Sequence, residues 1–425
     1  MVQLAKGVRD FAPNEKIARN YLVSTLKTIF ENYGFNPLET PIIERLETLS
    51  SKSSGEEIIK EIFKFNDQGK RELGLRFDLT VPMSRFVAMN PNLKMPFKRY
   101  QIGRVFRDGP IKLGRYREFW QCDVDTVGSK DMKADAEIIT LTQEAFSKLG
   151  LDVTILVNNR KLLNAIIQKS GVSAELSGTV MLSLDKFEKI GENGVKEDLL
   201  NKGFDNKEID EIISLLEVKG NNKEKLDYYS KLLKDNQGLK ELQELFVLIN
   251  DSNIKFSPGL ARGLNYYTGT IFEVIFNDSK IMKFSLCAGG RYDNMIGDYA
   301  GNNKDYPATG ISFGLEPILE TLKLLKKIEL KDSVVKLFII PIGNVTKQAF
   351  EIAKKIRSAG INTDIDIIGR NISKNMKYAN TMKIPYVLII GENEVKDGKF
   401  KLKNMKSGEE VNVAINEVIE ELKIS

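Results

Sequence analysis

Arg104-Val105-Phe106-Arg107-Asp108-Gly109-Pro110-Ile111-Lys112-Leu113-Gly114-Arg115-Tyr116-Arg117-Glu118-Phe119-Trp120-Gln121-Cys122-Asp123-Val124-Asp125 is the stretch on which the fold turns. Gly109, Pro110 and Gly114 punctuate two strand-like runs, so it reads as a hairpin with a Gly/Pro loop. Arg104, Arg107, Lys112, Arg115 and Arg117 fall within fourteen residues. Phosphate is the obvious target of such a loop, and a solvated sheet edge is the plain alternative. On the return strand Phe119, Gln121, Asp123 and Asp125 alternate, which places polar groups on one face of a sheet.

Outward from this hairpin the chain divides by pattern. Residues 14–33 put Ile17, Tyr21, Leu22, Leu26, Ile29, Phe30 and Tyr33 at helical spacing, and Gly34 supplies the stop. Pro37 and Pro41 drive their predecessors out of the helical region, so residues 35–43 read as extended. Phe63-Lys64-Phe65 and Leu73-Gly74-Leu75-Arg76-Phe77 flank Asp67-Gln68-Gly69 as strands around a turn. Further strands are predicted at 98–106, 118–127, 268–276 and 283–288, and a helix at 315–326. Residues 152–251 turn rich in Lys, Glu, Asn and Leu with helical periodicity, which predicts an inserted helical module at about 170–250. Beyond the charged run 326–332 the pattern becomes strand 335–340, helix 346–358, strand 363–367, helix 373–382, strand 386–390 and helix 412–422, a separate α/β domain. The expected domains are therefore residues 1–325 and 333–425.

Not one of the 425 residues is histidine. That removes the usual general base, the commonest metal ligand and the side chain that titrates near neutrality. With Cys122 and Cys287 the only thiols, Cys₂His₂ and Cys₄ zinc sites are excluded, and no disulfide framework is implied. The first residues lack the apolar core of a signal peptide and no later apolar run is long enough to span a bilayer. The expectation is a cytoplasmic protein with no membrane partner. A formal charge of +5, from 63 basic and 58 acidic residues, permits an anionic partner such as nucleic acid without demanding one. The chemistry left to this chain belongs to carboxylates, arginines, tyrosines and backbone amides, groups suited to stabilising charge.

Three more segments carry such groups. Gly74-Leu75-Arg76-Phe77-Asp78-Leu79-Thr80-Val81-Pro82 alternates a carboxylate and a hydroxyl with apolar residues. Leu260-Ala261-Arg262-Gly263-Leu264-Asn265-Tyr266-Tyr267-Thr268 reads, by itself, equally as a turn entering a strand. In Ala288-Gly289-Gly290-Arg291-Tyr292-Asp293 the paired glycines follow a predicted strand and permit close backbone approach to a ligand. Taken in order, these segments resemble the histidyl-tRNA synthetase family of class II aminoacyl-tRNA synthetases over nearly the whole chain. Lys6-Gly7-Val8-Arg9-Asp10-Phe11, then Thr40-Pro41-Ile42-Ile43-Glu44 as motif 1, the 107–125 hairpin as motif 2, and the 262–267 and 288–293 segments match that family's signatures in its order.

The resemblance implies an α+β class II catalytic domain, an antiparallel sheet of about six strands flanked by helices. It also implies a helical insertion, a C-terminal α/β anticodon-binding domain and a homodimer formed through motif 1. The implied activity joins L-histidine to ATP, with Mg²⁺ carried mainly by the nucleotide rather than by protein ligands, and then moves the histidyl group to the 3′ end of tRNA(His). Arg107, Arg262 and Gln121 form the implied catalytic set, the two arginines gripping the α-phosphate from opposite sides. Phe119 would stack on adenine and Arg115 would reach the distal phosphates. Asp78, Thr80 and Gln121 would hold the substrate's ammonium and carboxylate. Asp125 and Tyr267, with Tyr266 beside them, would take the two imidazole nitrogens.

The chain departs from the family's pattern at three places. Pro317 stands where motif 3 has its arginine, Gly109 where motif 2 has its glutamate, and Asn265 where an aspartate is common. Either Arg115 or Arg291 supplies the missing charge in a subfamily variant, or the site is degenerate. The second reading makes the chain an inactive histidine-binding regulatory subunit or a sensor of uncharged tRNA. Retention of Arg107, Arg262, Gln121 and Asp125 argues against it, as does the domain beginning near Val335. In that domain Lys374, Lys377 and Lys383 are candidates for tRNA phosphates, or simply solvated lysines.

Overall fold

Phe97–Phe106 and Glu118–Val127 form a ten-residue antiparallel pair, in register from Phe97↔Val127 to Phe106↔Glu118. This pair belongs to an eight-stranded sheet in the computed structural model, which describes residues 2–50, 56–111, 116–249, 251–262, 266–302 and 304–424. The strand order is Asn36–Pro37, Phe97–Phe106, Glu118–Val127, Ala308–Gly314, Cys287–Arg291, Thr270–Phe276, Val153–Asn159, Ile254–Phe256. Only the two outermost pairings are parallel. One compact unit consists of the residues up to Arg9 with Tyr21–Ile328, and the other of Asp10–Asn20 with the residues from Glu329 onward.

Alternation along the central strands separates a helix-covered face from an open one. Tyr100 and Phe313 turn to the covered face, where Phe30 from the helix Pro13–Asn32 lies 5.7 and 5.5 Å from their rings. Phe146 of the helix Met132–Lys148 stacks on Phe313 at 5.9 Å. The residues between them, including Arg99, Asp123 and Asp125, therefore face the other way. A three-stranded sheet of Ile43–Arg45, Glu72–Leu75 and Lys64–Asn66 lies separately, with the expected turn after Asn66.

The helical module contains Ser177–Leu184, Phe187–Asn201, Asn206–Leu216, Asn222–Leu233 and Gln237–Leu248. Capping boxes open two of these helices, Asp205 with Glu208 and Asn221 with Glu224, fixing their starts by reciprocal bonds. The helical pattern does not begin at residue 152, however, because Val153–Asn159 is a strand of the large sheet. This strand is buried on both faces, so its apolar run shows no alternation that would tell it from a buried helix.

In the second unit, Thr363–Ile365, Leu337–Pro341 and Tyr386–Ile390 form a parallel core. Leu337 and Ile339 pack with Ala349 and Ala353 of the helix Thr346–Ser358, while Phe338 and Ile340 pack on the opposite face with Ala379 of the helix Ile372–Thr381. An antiparallel hairpin, Phe400–Asn404 and Glu410–Val413, completes the sheet. Asn412 thus lies in a strand, and the last helix starts later, at Ile415–Ile424. In the hairpin Phe400 and Leu402 turn inward with Val411 and Val413 packed against the same core, while Lys401 and Lys403 pair with Glu410. Lys383 is engaged by Asp332 at 3.0 Å. No described helix is long and apolar enough to cross a membrane.

The paired glycines lie inside the strand Cys287–Arg291, four residues later than the predicted strand start. A Cβ on Gly289 would stand 2.1 Å from the Gly310 carbonyl oxygen and 2.8 Å from the Phe272 ring. A Cβ on Gly290 would meet the Thr270 carbonyl oxygen at 2.5 Å and the Tyr267 ring at 2.9 Å. Both glycines admit neighbouring backbone and side chains of this unit, and Gly289 also lines the large cleft described below. Gly289→Ala is expected to destabilise the fold by about 1–3 kcal/mol, as overpacking does. Gly178→Ala, in a helix with open space around it, is expected to be neutral or stabilising. Thermal melting of the two variants checks both signs.

Candidate active site

The open face of the large sheet forms the floor of a cleft of about 1580 Å³, with Leu182, Phe187 and Lys202 of the helical module on its far wall. Three cross-strand rows compose the floor. Arg99, Asp125 and Gly310 align in the first, Gln101, Asp123 and Ser312 in the second, and Gly103, Gln121 and Gly314 in the third.

In the first row the fully buried Arg99 ion-pairs with Asp125 at 2.7 Å, and the Tyr292 hydroxyl donates to Asp125 Oδ1. A Cβ at position 310 would stand 2.0 Å from that oxygen, so glycine is what admits the carboxylate. Asp125 Oδ2 has the Arg99 charge beside it but no aligned hydrogen bond, which leaves a buried acceptor for an incoming donor. In the second row Asp123 is 2% exposed and its Oδ1 accepts no hydrogen bond. In the third, Gln121 Nε2 donates to Ser312 Oγ at 2.8 Å while Gln121 Oε1 accepts nothing.

Asp78 precedes the helix Thr80–Met89 and accepts from the Val81 amide at 3.0 Å. Burial pushes its carboxyl up to about 6, against the downward pull of that amide, Arg107 and Arg99. Burial pushes Asp123 up to about 7, opposed by Arg99 and a Ser312 hydrogen bond and assisted by the neighbouring charges of Asp125 and Asp78. Asp125 is raised by burial as well, and Arg99 and Tyr292 oppose the rise. Three carboxyl groups crowd one buried arginine, and the desolvation of the group outweighs that single cation.

Arg107 Nε donates to the Phe77 carbonyl at 3.0 Å, and its guanidinium sits 5.2 Å from the Phe119 ring centroid. Arg262 pairs with Glu273 at 3.0 Å. Burial alone would lower the Arg262 pKa, but Glu273, with Tyr267, Asp185 and Tyr266, holds it above the ordinary arginine value. The Tyr266 and Tyr267 rings are 4.6 Å apart, and Tyr266 meets Tyr292 edge-on at 6.0 Å.

The fold thus brings Asp78, Thr80, Arg107, Phe119, Gln121, Asp125, Arg262, Tyr266 and Tyr267 to one cleft, from segments nearly two hundred residues apart in sequence. Arg115 and Asn265 lie outside the described residues. Asp123 and Tyr292 stand on the cleft and were given no role by sequence. The alternation 119, 121, 123, 125 was the available signal for Asp123. Arg99 carried no signal, because only the register of its strand sets it against Asp125.

Residues 7–318 match the histidyl-tRNA synthetase family model, and residues 336–424 match the anticodon binding domain model. This chain belongs to the histidyl-tRNA synthetase family. It is 46% identical over 422 residues to histidine–tRNA ligase 1 of Bacillus cereus, covering 97% of each chain. It is 45% identical to histidine–tRNA ligase 1 of Bacillus thuringiensis subsp. konkukian, again over 97% of each. The crystal structure of histidyl-tRNA synthetase from Nostoc sp. PCC 7120 superposes with a TM-score of 0.87 at 30% identity, over 99% of both chains.

For a histidyl-tRNA synthetase the departures noted above take a specific form. Arg291 is buried, donating to the Ser129 carbonyl at 2.8 Å and pairing with Asp135 and Asp293, so it is not a source of charge for distal phosphates. Two cations of the basic hairpin are likewise committed, Arg104 to Glu118 at 3.0 Å and Arg117 to Asp108 at 2.9 Å. Above Gly109 a carboxylate is nevertheless present: a Cβ there would lie 2.7 Å from Glu61 Oε1. Pro317 falls in the first turn of the helix Leu315–Leu324, where proline is tolerated, and the preceding Glu316 accepts from the Trp120 amide at 3.1 Å.

Because Asp78 and Asp123 are raised from the ordinary 3.8, the folded protein retains protons that the unfolded chain has lost. Their contribution to stability is full below 3.8 and is lost as pH climbs through about 6 and about 7. The ligand-free protein is therefore expected to lose thermal stability between those limits. Asp123→Asn, which cannot ionise, is expected to show a shallower decline in melting temperature over the same range.

Proposed function

We propose that the chain activates L-histidine with ATP to histidyl-adenylate, releasing pyrophosphate, and transfers the histidyl group to the 3′ end of tRNA(His). The observation that carries this reading is the meeting of two arginines, Arg107 and Arg262, in a cleft floored with buried acceptors suited to an amino acid. An oxygen of the histidine carboxylate attacks the α-phosphorus in line, and the bond to pyrophosphate breaks. Arg107 and Arg262 meet the charge that develops on the pentacovalent phosphorus. Phe119, already beside the Arg107 guanidinium, offers its ring to adenine. The 3′-terminal ribose hydroxyl of the tRNA then attacks the acyl carbon and AMP departs.

Asp78, Thr80 and Gln121 hold the backbone groups of the substrate. Asp125 Oδ2 accepts from one imidazole nitrogen, and the Tyr267 hydroxyl serves the other. A different amino acid would leave these buried groups unpaired, a steep basis for selection. Mg²⁺ is assigned to the nucleotide's phosphates, whose charge it screens.

Residues 1–325 are assigned as the catalytic domain, with the helical insertion at about 170–250 directed to the tRNA acceptor end. Residues 333–425 are assigned to the anticodon, in keeping with the family match there. A homodimer through residues 40–44 and a cytoplasmic location belong to the same reading. The regulatory-subunit alternative is disfavoured because the relatives that span this chain carry the ligase name.

The test is histidine-dependent exchange of labelled pyrophosphate into ATP. Exchange is expected with histidine alone among amino acids, and Arg262→Ala is expected to lower it by about 100-fold or more, as removal of a charge-stabilising donor does. Histidine binding without any exchange would instead place the chain with the regulatory subunits.

A further inference from the structure

Asp123 is the one carboxylate of the cleft floor with neither a charge partner in contact nor an aligned amide among the described residues. Asp125 has Arg99 at 2.7 Å and Asp78 has the Val81 amide at 3.0 Å. Asp123 has the Ser312 hydroxyl on one side, while its Oδ1 accepts nothing although the residue is 2% exposed. Burying a carboxylate with an idle oxygen is costly unless a ligand brings the missing donor. Two positions along the same strand, Gln121 Oε1 is idle too. Asp78 lines the same cleft, and its charge is one of those that raise the Asp123 carboxyl.

An alkylammonium has three N–H donors and one positive charge. Asp78, Asp123 and Gln121 together offer three acceptors and an excess of negative charge on one patch of floor. Resting on the histidine-activating reading above, we propose that Asp123 binds the α-ammonium of the amino-acid substrate, as the third acceptor beside Asp78 and Gln121. The competing role is positional, in which Asp123 merely holds Asp125 and so acts on the imidazole.

Three ligands separate the two roles. Histidine has ring, ammonium and carboxylate, histidinol keeps ring and ammonium, and imidazole-propionate keeps ring and carboxylate without the ammonium. In equilibrium binding to the full chain, Asp123→Asn is expected to weaken histidine and histidinol by about 10- to 100-fold, the loss of one charge-assisted hydrogen bond, and to leave imidazole-propionate within about twofold. Asp123→Glu is expected to restore part of the histidinol affinity. Equal weakening of all three ligands, or unchanged histidinol binding, overturns the proposal. Failure of the unsubstituted protein to bind histidine would sink the activating reading itself, which is a separate outcome. Should Asp123→Asn not fold, the contact is read in the native sequence labelled with ¹³C at aspartate carboxyls, with the Asp123 resonance identified as the one missing from Asp123→Glu. Histidinol is expected to shift the Asp123 signal and imidazole-propionate to leave it; no shift with histidinol rejects the assignment.

Discussion

Arg99 and Asp125 face each other across the two longest strands, with the guanidinium wholly out of solvent and 2.7 Å from the carboxylate. Much of the catalytic unit is arranged around this ion pair. Gly310 has no side chain because Asp125 lies over it, and Tyr292 reaches in to cover its other oxygen. The register of three strands is fixed by the same row, since a one-residue slip would carry Arg99 to the helix-covered face and Tyr100 into the cleft. Removing one member of such a pair leaves the other charged and buried, a loss of about 3–5 kcal/mol. On the reading proposed above Asp125 would serve both the sheet and the substrate, two duties that its deletion could not separate.

The cleft is built against stability. Its floor concentrates Asp78, Asp123 and Asp125 around a single buried cation, and burial raises all three carboxyls. Arg262 is restrained by Glu273 rather than left loose, so its charge is held in place within the cleft. Catalysis without histidine follows from this design. The groups the cleft offers are fixed charges and acceptors awaiting donors, neither of which requires an imidazole.

Much of this was legible in the sequence, for identifiable reasons. The 104–125 hairpin announced itself by its glycines and proline and by the alternation that follows. The second unit's parallel core and the Thr346–Ser358 helix showed in their periods. Two central strands did not. Val153–Asn159 is buried on both faces, and Ala308–Gly314 contains four small residues, Ala308, Gly310, Ser312 and Gly314, that leave little apolar alternation to read. In the site, residues within one segment could be found by spacing. The pairing of Arg99 with Asp125, and the idle oxygen of Asp123, arise only from cross-strand register, a long-range property that local pattern does not carry.

The crowded carboxyl groups also give the empty cleft a capacity for hydrogen ions. With Asp78 drawn up to about 6 and Asp123 to about 7, a cationic ligand settling on them must displace whatever protons they hold. On the reading proposed above, capture of the amino acid and release of protons would be two sides of one equilibrium. On that reading, hydrogen ions and the substrate ammonium would compete for the same carboxyl oxygens.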